Sequence, residues 1–382
     1  MGNDKNSKLS HCYPNQRTKS GDTPEEILGY NAYVIFNPAV GGYTKKKINT
    51  IMKKLGTHFF EYYESKKKGD ISHFVSKKLS KKGKYIFVIC GGDGTYNEAI
   101  NVKGNLKTAI FGFLPEGTSS DLAKSLGIKS TTEMCNFIDT ILKGKFIPRY
   151  YVTQADLIKS RYKSKLIQHP GKKEASIPDK EAFAANMVSF GFDAGTCFKV
   201  EQNPKISKLG RKWAYICSTI KMMKEYVPIQ TEINLHLNNG KGARVVIDDL
   251  LVCLVMNGNF AASGMNFNPE GCIDDNSLEV FIVKYRSRFD IIKTLLHVKM
   301  FGSKKLISTR KSEDGFNKFN VNYVKHVKSV VINIKNAHEQ RDYFIQLDAE
   351  PDRINPKVPV KIEVMPNAVN FLTPAHREDI PR

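Results

Sequence analysis

Apolar positions in the first third of the chain fall in short, nearly unbroken runs: Tyr33 to Phe36, Phe59 to Tyr63, Tyr85 to Cys90 and Thr108 to Phe113. Runs of this kind are what strands buried on both faces require. Between them, Thr44 to Leu55, Ile71 to Leu79 and Asn97 to Val102 read as helices, so the alternation predicts a parallel α/β series. From about Pro148 the pattern turns to strands alone, at Tyr151 to Ile158, Phe183 to Phe190, Glu232 to Leu237, Arg244 to Met256, Leu278 to Val283, Ser329 to Ile334 and Phe344 to Leu347. That predicts a second, antiparallel, sandwich-like domain. Lys159 to Lys180 reads as a basic, poorly ordered loop insertion. Ile206 to Tyr226 reads as a helix, with Leu209, Trp213, Ile216, Ile220 and Met223 at helical spacing and Lys205, Lys208, Arg211, Lys212 and Lys221 between them. Core packing is the default for such a stripe; contact with lipid is the alternative.

The strand from Tyr85 to Cys90 runs straight into Gly91-Gly92-Asp93-Gly94-Thr95 and then Tyr96-Asn97-Glu98. Strand, glycine turn and helix start together make a phosphate cradle, because missing Cβ atoms bare the backbone amides and the helix adds its positive end. A glycine cluster after an apolar run is also an ordinary tight turn. Asp93 is an odd neighbour for an anion unless a divalent cation or a hydroxyl proton is handled beside it, which points to phosphoryl transfer. The spacing matches neither G-x-G-x-x-G nor G-x-x-x-x-G-K-[ST], so the common nucleotide loops are excluded.

Three turns in register carry a family resemblance. Asn37-Pro38-Ala39-Val40-Gly41, Gly91 to Glu98, and Pro115-Glu116-Gly117-Thr118-Ser119-Ser120-Asp121-Leu122-Ala123 resemble the NP-x-x-G, GGDGT-x-NE and P-x-GT-x-ND-x-A segments of soluble lipid kinases related to diacylglycerol kinase and sphingosine kinase. The similarity runs on through Ser189 to Ala194, Met256-Asn257-Gly258, Pro269 to Val280 and Gln346 to Glu350, covering about residues 30 to 372. This chain departs from the pattern at three places: Ser120 stands for Asn, Asp275-Asn276 for DG, and Asp348-Ala349-Glu350 for DGE. Asn replaces Gly readily in a left-handed turn, whereas Ala does not.

The resemblance implies an α/β fold, with a parallel three-layer nucleotide domain like that of NAD kinase and diacylglycerol kinase followed by an antiparallel β-sandwich-like domain. It implies ATP held by Asn37, Pro38, Ala39, Val40 and Gly41, by Gly91, Gly92, Asp93, Gly94, Thr95, Tyr96 and Asn97, and by Gly117 with hydroxyls from Ser65 and Thr118. Asp93 would bind catalytic Mg²⁺ through water or position the phosphate. Glu350, aided by Asp348, would accept the proton of a lipid alcohol; without the resemblance these two are as well read as a solvated strand-end pair. A structural Mg²⁺ is implied at Asp275 with the carbonyls of Cys272 and Ser277, where the residues alone read more readily as a plain turn. The rival readings are an NAD kinase, which shares a GGDGT loop, and a degenerate lipid-binding protein, which the Ser120 and Ala349 departures motivate.

At 382 residues the chain divides naturally in two. The expected division is a disordered polar tail at 1–27 without a signal-peptide core, an ATP-binding domain at 28–147, a lipid-substrate domain at 148–364, and a segment at 365–382 returning to the first domain. Seven cysteines without ligand spacing argue against a disulfide framework and for the cytoplasm. The net charge of +21 is spread over many lysines, and no organised nucleic-acid motif accompanies it. No nucleic acid is therefore expected; the partner expected for the charge is an anionic membrane surface, visited transiently.

Overall fold

The computed structural model describes residues 25–374, except for 27–28, 40–44, 56–58, 118, 149–150, 166–178, 204–210, 290, 293–302, 304–311, 313–314 and 339. Val40, Gly41 and Thr118 thus lie outside the described residues. After a two-residue strand β1 (Glu25–Glu26), the first half lays down β2 (Tyr30–Phe36), β3 (Phe60–Glu64), β4 (Lys84–Gly91) and β5 (Ala109–Pro115), all mutually parallel in the order β5-β4-β2-β3. Every position of β4 after Lys84 is buried, because helices cover both sheet faces. Those helices are α1 (Lys45–Leu55), α2 (Asp70–Leu79), α3 (Asp93–Ile100), the short α4 (Asp121–Ser125) and α5 (Thr131–Gly144).

Past the two-residue β6 (Phe146–Ile147), the second half is antiparallel. It comprises β7 (Val152–Lys163), β8 (Asp179–Ala184), β9 (Met187–Gly191), β10 (Ile229–Leu237), β11 (Gly242–Met256), the hairpin β12 (Phe260–Ala261) and β13 (Met265–Asn266), β14 (Leu278–Lys284), β15 (Val321–Ile334), β16 (Tyr343–Leu347), β17 (Glu350–Ile354) and β18 (Val360–Leu372). Among the described residues two helices interrupt it, α6 (Phe192–Glu201) and α7 (Arg211–Glu225). The two halves share one 14-stranded sheet through β18, which pairs antiparallel with β15 and β7 and, at Asn370 and Phe371, parallel with Ile110 and Phe111 of β5. Accordingly Val369, Phe371 and Leu372 pack in the first apolar core with Phe87, Phe111 and Phe113, whereas Val360 and Ile362 belong to the second.

The architecture is the α/β class expected, with parallel strands first and antiparallel sandwich strands after. Three elements differ from their sequence reading. The helix expected to begin at Asn97 begins at Asp93, inside the glycine turn. The expected loop from Lys159 is strand up to Lys163 and again from Asp179. The strand expected from Phe183 to Phe190 is broken at Ala185 and Asn186.

Candidate functional site

The crevice opens where β2, β4 and β5 end, the edge at which parallel α/β sheets present ligand-binding loops. The loops are stitched together by backbone bonds. Asn37 N–H donates to the Cys90 carbonyl at 3.2 Å, Ser65 N–H to the Phe36 carbonyl at 2.9 Å, and the Glu116 and Gly117 N–H groups to the Gly91 carbonyl at 2.9 and 3.1 Å. The Asn37 side chain turns its own loop by accepting from Ala39 N–H (3.1 Å) and donates across to Thr95 Oγ1 (3.1 Å). The glycines serve close approach rather than unusual φ. A Cβ on Gly91 would lie 2.5 Å from the Thr95 side chain, and one on Gly117 would lie 2.5 Å from Gly92 Cα. No side chain caps α3 at Gly92, so the first amides of a helix whose start is built from glycine stay unclaimed by any cap. Tyr96, fully buried, donates its hydroxyl hydrogen to the Gly91 carbonyl at 2.9 Å and holds the turn down from below.

Carboxylates surround this turn. Asp93 accepts from Leu122 N–H at 3.0 Å and sits against Asp121, itself buried, whose Oδ2 accepts from Ser263 N–H at 3.1 Å. Burial, with the Asp121 charge adding to it, pushes the Asp93 carboxyl up to about 7, and burial raises Asp121 as well. Asp121 Oδ1 makes no hydrogen bond, with Lys124 Nζ 3.6 Å away. Two desolvated carboxylates side by side, one of them with an oxygen held only by the Lys124 ammonium at ion-pair distance, fit a hard divalent cation such as Mg²⁺. Asp121 lies in a recognised turn yet was assigned no role by the sequence; its partner Ser263, 142 residues away, is what marks it. Ser120, at the place of the family Asn, has φ 47, a left-handed conformation that Asn adopts at less cost.

The second half reaches into the same crevice through the β16–β17 hairpin. Its two-residue turn, Asp348 and Ala349, has φ 45 and 72, as a type I′ hairpin demands, so the Gly-to-Ala departure falls on a left-handed position. The buried Asp348 carboxylate collects the N–H groups of Ala185, Asn186 (3.0 Å) and Met187 (2.8 Å). Burial lifts it to about 6 even against the pull of those amides. These bonds break the β8–β9 strand and fix the hairpin, so Asp348 acts on the site by holding Glu350. Glu350 hangs over the glycine turn, with Oε1 placed 2.8 Å from where a Cβ on Gly94 would be. Its other oxygen is ion-paired with Lys68, whose Nζ also lies 3.5 Å from Glu201 of α6. Glu98 Oε1 in turn accepts from Gly69 N–H (2.8 Å) and Ile71 N–H (2.9 Å), tying the Lys68 loop to α3. Neither Lys68 nor Glu201 was singled out by the sequence. Asn97 donates to the Phe183 carbonyl at 2.8 Å and so braces the two halves.

Asp275, Cys272 and Ser277 lie apart from this constellation, in the turn before β14. Asp275 Oδ1 accepts from both Ser277 N–H (3.0 Å) and Ser277 Oγ (2.8 Å), and Asn276 has φ 61. Fully buried Asp156 anchors the turn by accepting from Asn276 N–H (2.7 Å) and from Asn367 N–H of β18 (2.8 Å). Burial raises Asp275, a carboxylate that a cation would relieve. Among the described residues no three His, Cys, Asp or Glu side chains converge as a metal site; the set implied at Asp275 has one carboxylate and two carbonyls.

Comparison with known proteins places both halves. The diacylglycerol kinase catalytic domain matches residues 31–152, and the YegS C-terminal NAD kinase beta sandwich-like domain matches residues 186–373. A probable lipid kinase, YegS-like, of Klebsiella pneumoniae is 27% identical over 56% of this chain and 61% of its own length. A diacylglycerol kinase of Staphylococcus carnosus is 28% identical over 32% of this chain and 44% of its own. The matched segments therefore span less than two thirds of these relatives. A crystal structure of a diacylglycerol kinase from Bacillus anthracis superposes with a TM-score of 0.54 at 16% identity, covering 90% of this chain and 96% of the other, which is likeness of fold.

Proposed function

Because this chain belongs, through both of its halves, to the soluble lipid kinases with a diacylglycerol kinase catalytic domain, we propose that it is an ATP- and Mg²⁺-dependent kinase phosphorylating the hydroxyl of a diacylglycerol-like or sphingoid-like lipid. The observation that carries this reading is Glu350, delivered by the β-rich half onto the glycine turn of the α/β half. Residues 28–147 would hold the nucleotide and 148–364 the lipid. The uncapped amides at the start of α3 suit phosphate oxygens, and the Asn37 turn the other wall. Asp93 and Asp121 would hold the catalytic Mg²⁺, directly or through water, and Asp275 with the carbonyls of Cys272 and Ser277 a second, structural one. When bound, Mg²⁺ supplies positive charge that neutralises the phosphate oxygens.

In the transfer, the lipid hydroxyl oxygen forms the new P–O bond and gives its proton to Glu350, while the bridging oxygen leaves with the electron pair as ADP. Lys68 would hold the Glu350 carboxylate in place until substrate arrives. The test is transfer of labelled γ-phosphate from MgATP to a panel of lipid alcohols in mixed micelles, with NAD as a parallel acceptor. A lipid product lost in Glu350→Gln supports the reading. Labelled NADP, or no product with any acceptor, overturns it.

A further inference from the structure

Helix α7 is built inside out. Its buried face carries Ala214, Ser218 and Met222, two of them among the smallest side chains available, while Trp213, Ile216 and Ile220, spaced along one helical face, point away from the protein. Trp213 is 59% exposed and Ile220 50%. Beyond the C-terminal end of the helix, Val227, Phe289 (77% exposed) and Ile292 continue the exposure, and Arg288 donates to the Lys224 carbonyl at 3.1 Å, which holds the Phe289 segment against α7. Six of the eight large apolar side chains left exposed among the described residues therefore gather at one place. Soluble surfaces scatter such residues singly; a contiguous group marks an interaction face.

We propose that this face is a membrane-docking surface, on which α7 lies in the headgroup region of a bilayer containing anionic lipid. Charge selects that occupant. Among the described residues, Lys221, Lys224, Arg286 and Arg288 are exposed around the apolar group, and Glu225, an acid on the same helix, is paired with Lys199. A second copy of a chain carrying +21 would bring cations against cations, whereas an anionic headgroup layer neutralises them. The geometry suits a shallow contact: Trp213 to Ile220 covers about 10 Å of helix, enough to rest in the interface. No described helix is long and apolar enough to cross a membrane. The position is also apt for the reaction. The buried side of α7 packs on α6, and Glu201 of α6 reaches the Lys68–Glu350 pair, so the docked helix stands one helix away from the base. That last link rests on the lipid-kinase reading; the docking face itself does not.

Trp213 is the only tryptophan in the chain, so its fluorescence reports this surface alone. Vesicles of phosphatidylcholine with phosphatidylserine should shift its emission to the blue, brominated acyl chains should quench it, and raised salt should weaken both. The double variant Ile216→Ser/Ile220→Ser, which keeps the reporter, should bind these vesicles at least about tenfold more weakly. The exposed pair Lys221→Glu/Lys224→Glu should lose the preference for anionic vesicles. Both variants should keep wild-type phosphate transfer in detergent micelles, where docking is not required. Emission unmoved by anionic vesicles overturns the proposal, as does a blue shift that grows with protein concentration in the absence of lipid, the mark of a contact between copies. Vesicle binding without micelle activity would instead remove the kinase reading and leave the docking face standing.

Discussion

Asp93 and Asp121 place two carboxylates together out of water, and the apo protein should be destabilised by it. In Asp93→Asn the shape is kept and the amide oxygen still accepts from Leu122 N–H, but the charge is gone. The folded Asp93 carboxyl titrates at about 7 against an ordinary 3.8, roughly three units, and at ~1.4 kcal/mol per unit the ceiling on the effect is about 4 kcal/mol. Water penetration and local relaxation around a buried charge reduce it, to about 2 kcal/mol. The sign follows from proton linkage. A carboxyl whose folded pKa is raised holds its proton in the native state where the unfolded chain has lost it, so stability is fullest below pH 4 and drains away as pH rises through 7. Asp93→Asn should therefore unfold at higher urea than wild type at pH 8 in EDTA, by about 2 kcal/mol, and the gain should shrink toward zero near pH 4. The same variant should lose phosphate transfer, a site that trades stability for chemistry. Equal or lower stability at pH 8, or a gain that does not change with pH, would refute the account of two opposed buried charges.

Ala349→Gly removes a left-handed alanine, which costs about 1–2 kcal/mol, and gives back about 0.5–1 kcal/mol in chain entropy. The variant should thus be more stable by up to about 1 kcal/mol in urea unfolding, and should transfer phosphate at least as fast. Gly117→Ala places a Cβ 2.5 Å from Gly92 Cα, backbone that cannot step aside; MgATP affinity by calorimetry should fall at least tenfold or the protein should lose about 2–3 kcal/mol. Lys68→Ala frees Glu350 from its ion pair and lets the carboxylate swing off the glycine turn, so kcat for phosphate transfer should fall about tenfold or more while Lys68→Arg restores it; unchanged turnover in the alanine variant would mean that Lys68 only decorates the surface.

The turns of the candidate site were more legible in the sequence than the scaffolding that positions them. Asn37, the Gly91–Thr95 turn, Gly117 and Glu350 converge because each lies in a local pattern whose glycines serve contacts within a few residues or across one crevice. What escaped depends on distant partners. The break at Ala185–Asn186 exists because Asp348, some 160 residues on, gathers three consecutive amides, a force that periodicity cannot register. β18 has no counterpart among the strands expected from the sequence, where Pro366-Asn367 breaks the apolar pattern; the structure absorbs the pair in a bulge, with Asn367 at φ 50 held by Asp156. Helix α5 was legible in the Ser130-x-x-Glu133 spacing of a capping box: Ser130 Oγ accepts from Glu133 N–H at 3.1 Å, and the Glu133 carboxylate accepts from Lys129 N–H at 3.0 Å. Of the apolar stripe expected by default to face a core, Met223 does pack on the second core, whereas Trp213, Ile216 and Ile220 face outward, and Leu209 lies outside the described residues.

The placement of β18 has a consequence for synthesis. β5 leaves the ribosome with one edge unpaired, and the strand that covers it, at Asn370 and Phe371, is translated some 260 residues later. At about 5–20 residues per second that interval is roughly 10–50 s, during which an apolar parallel sheet exposes the hydrogen-bonding groups that recruit other chains. Ribosome-held chains stopped before Val360 should accordingly be cut in the β5 region by protease far faster than chains released at full length. The parallel half of the sequence is then among the last to close, and this protein's vulnerability lies in the time before β18 arrives.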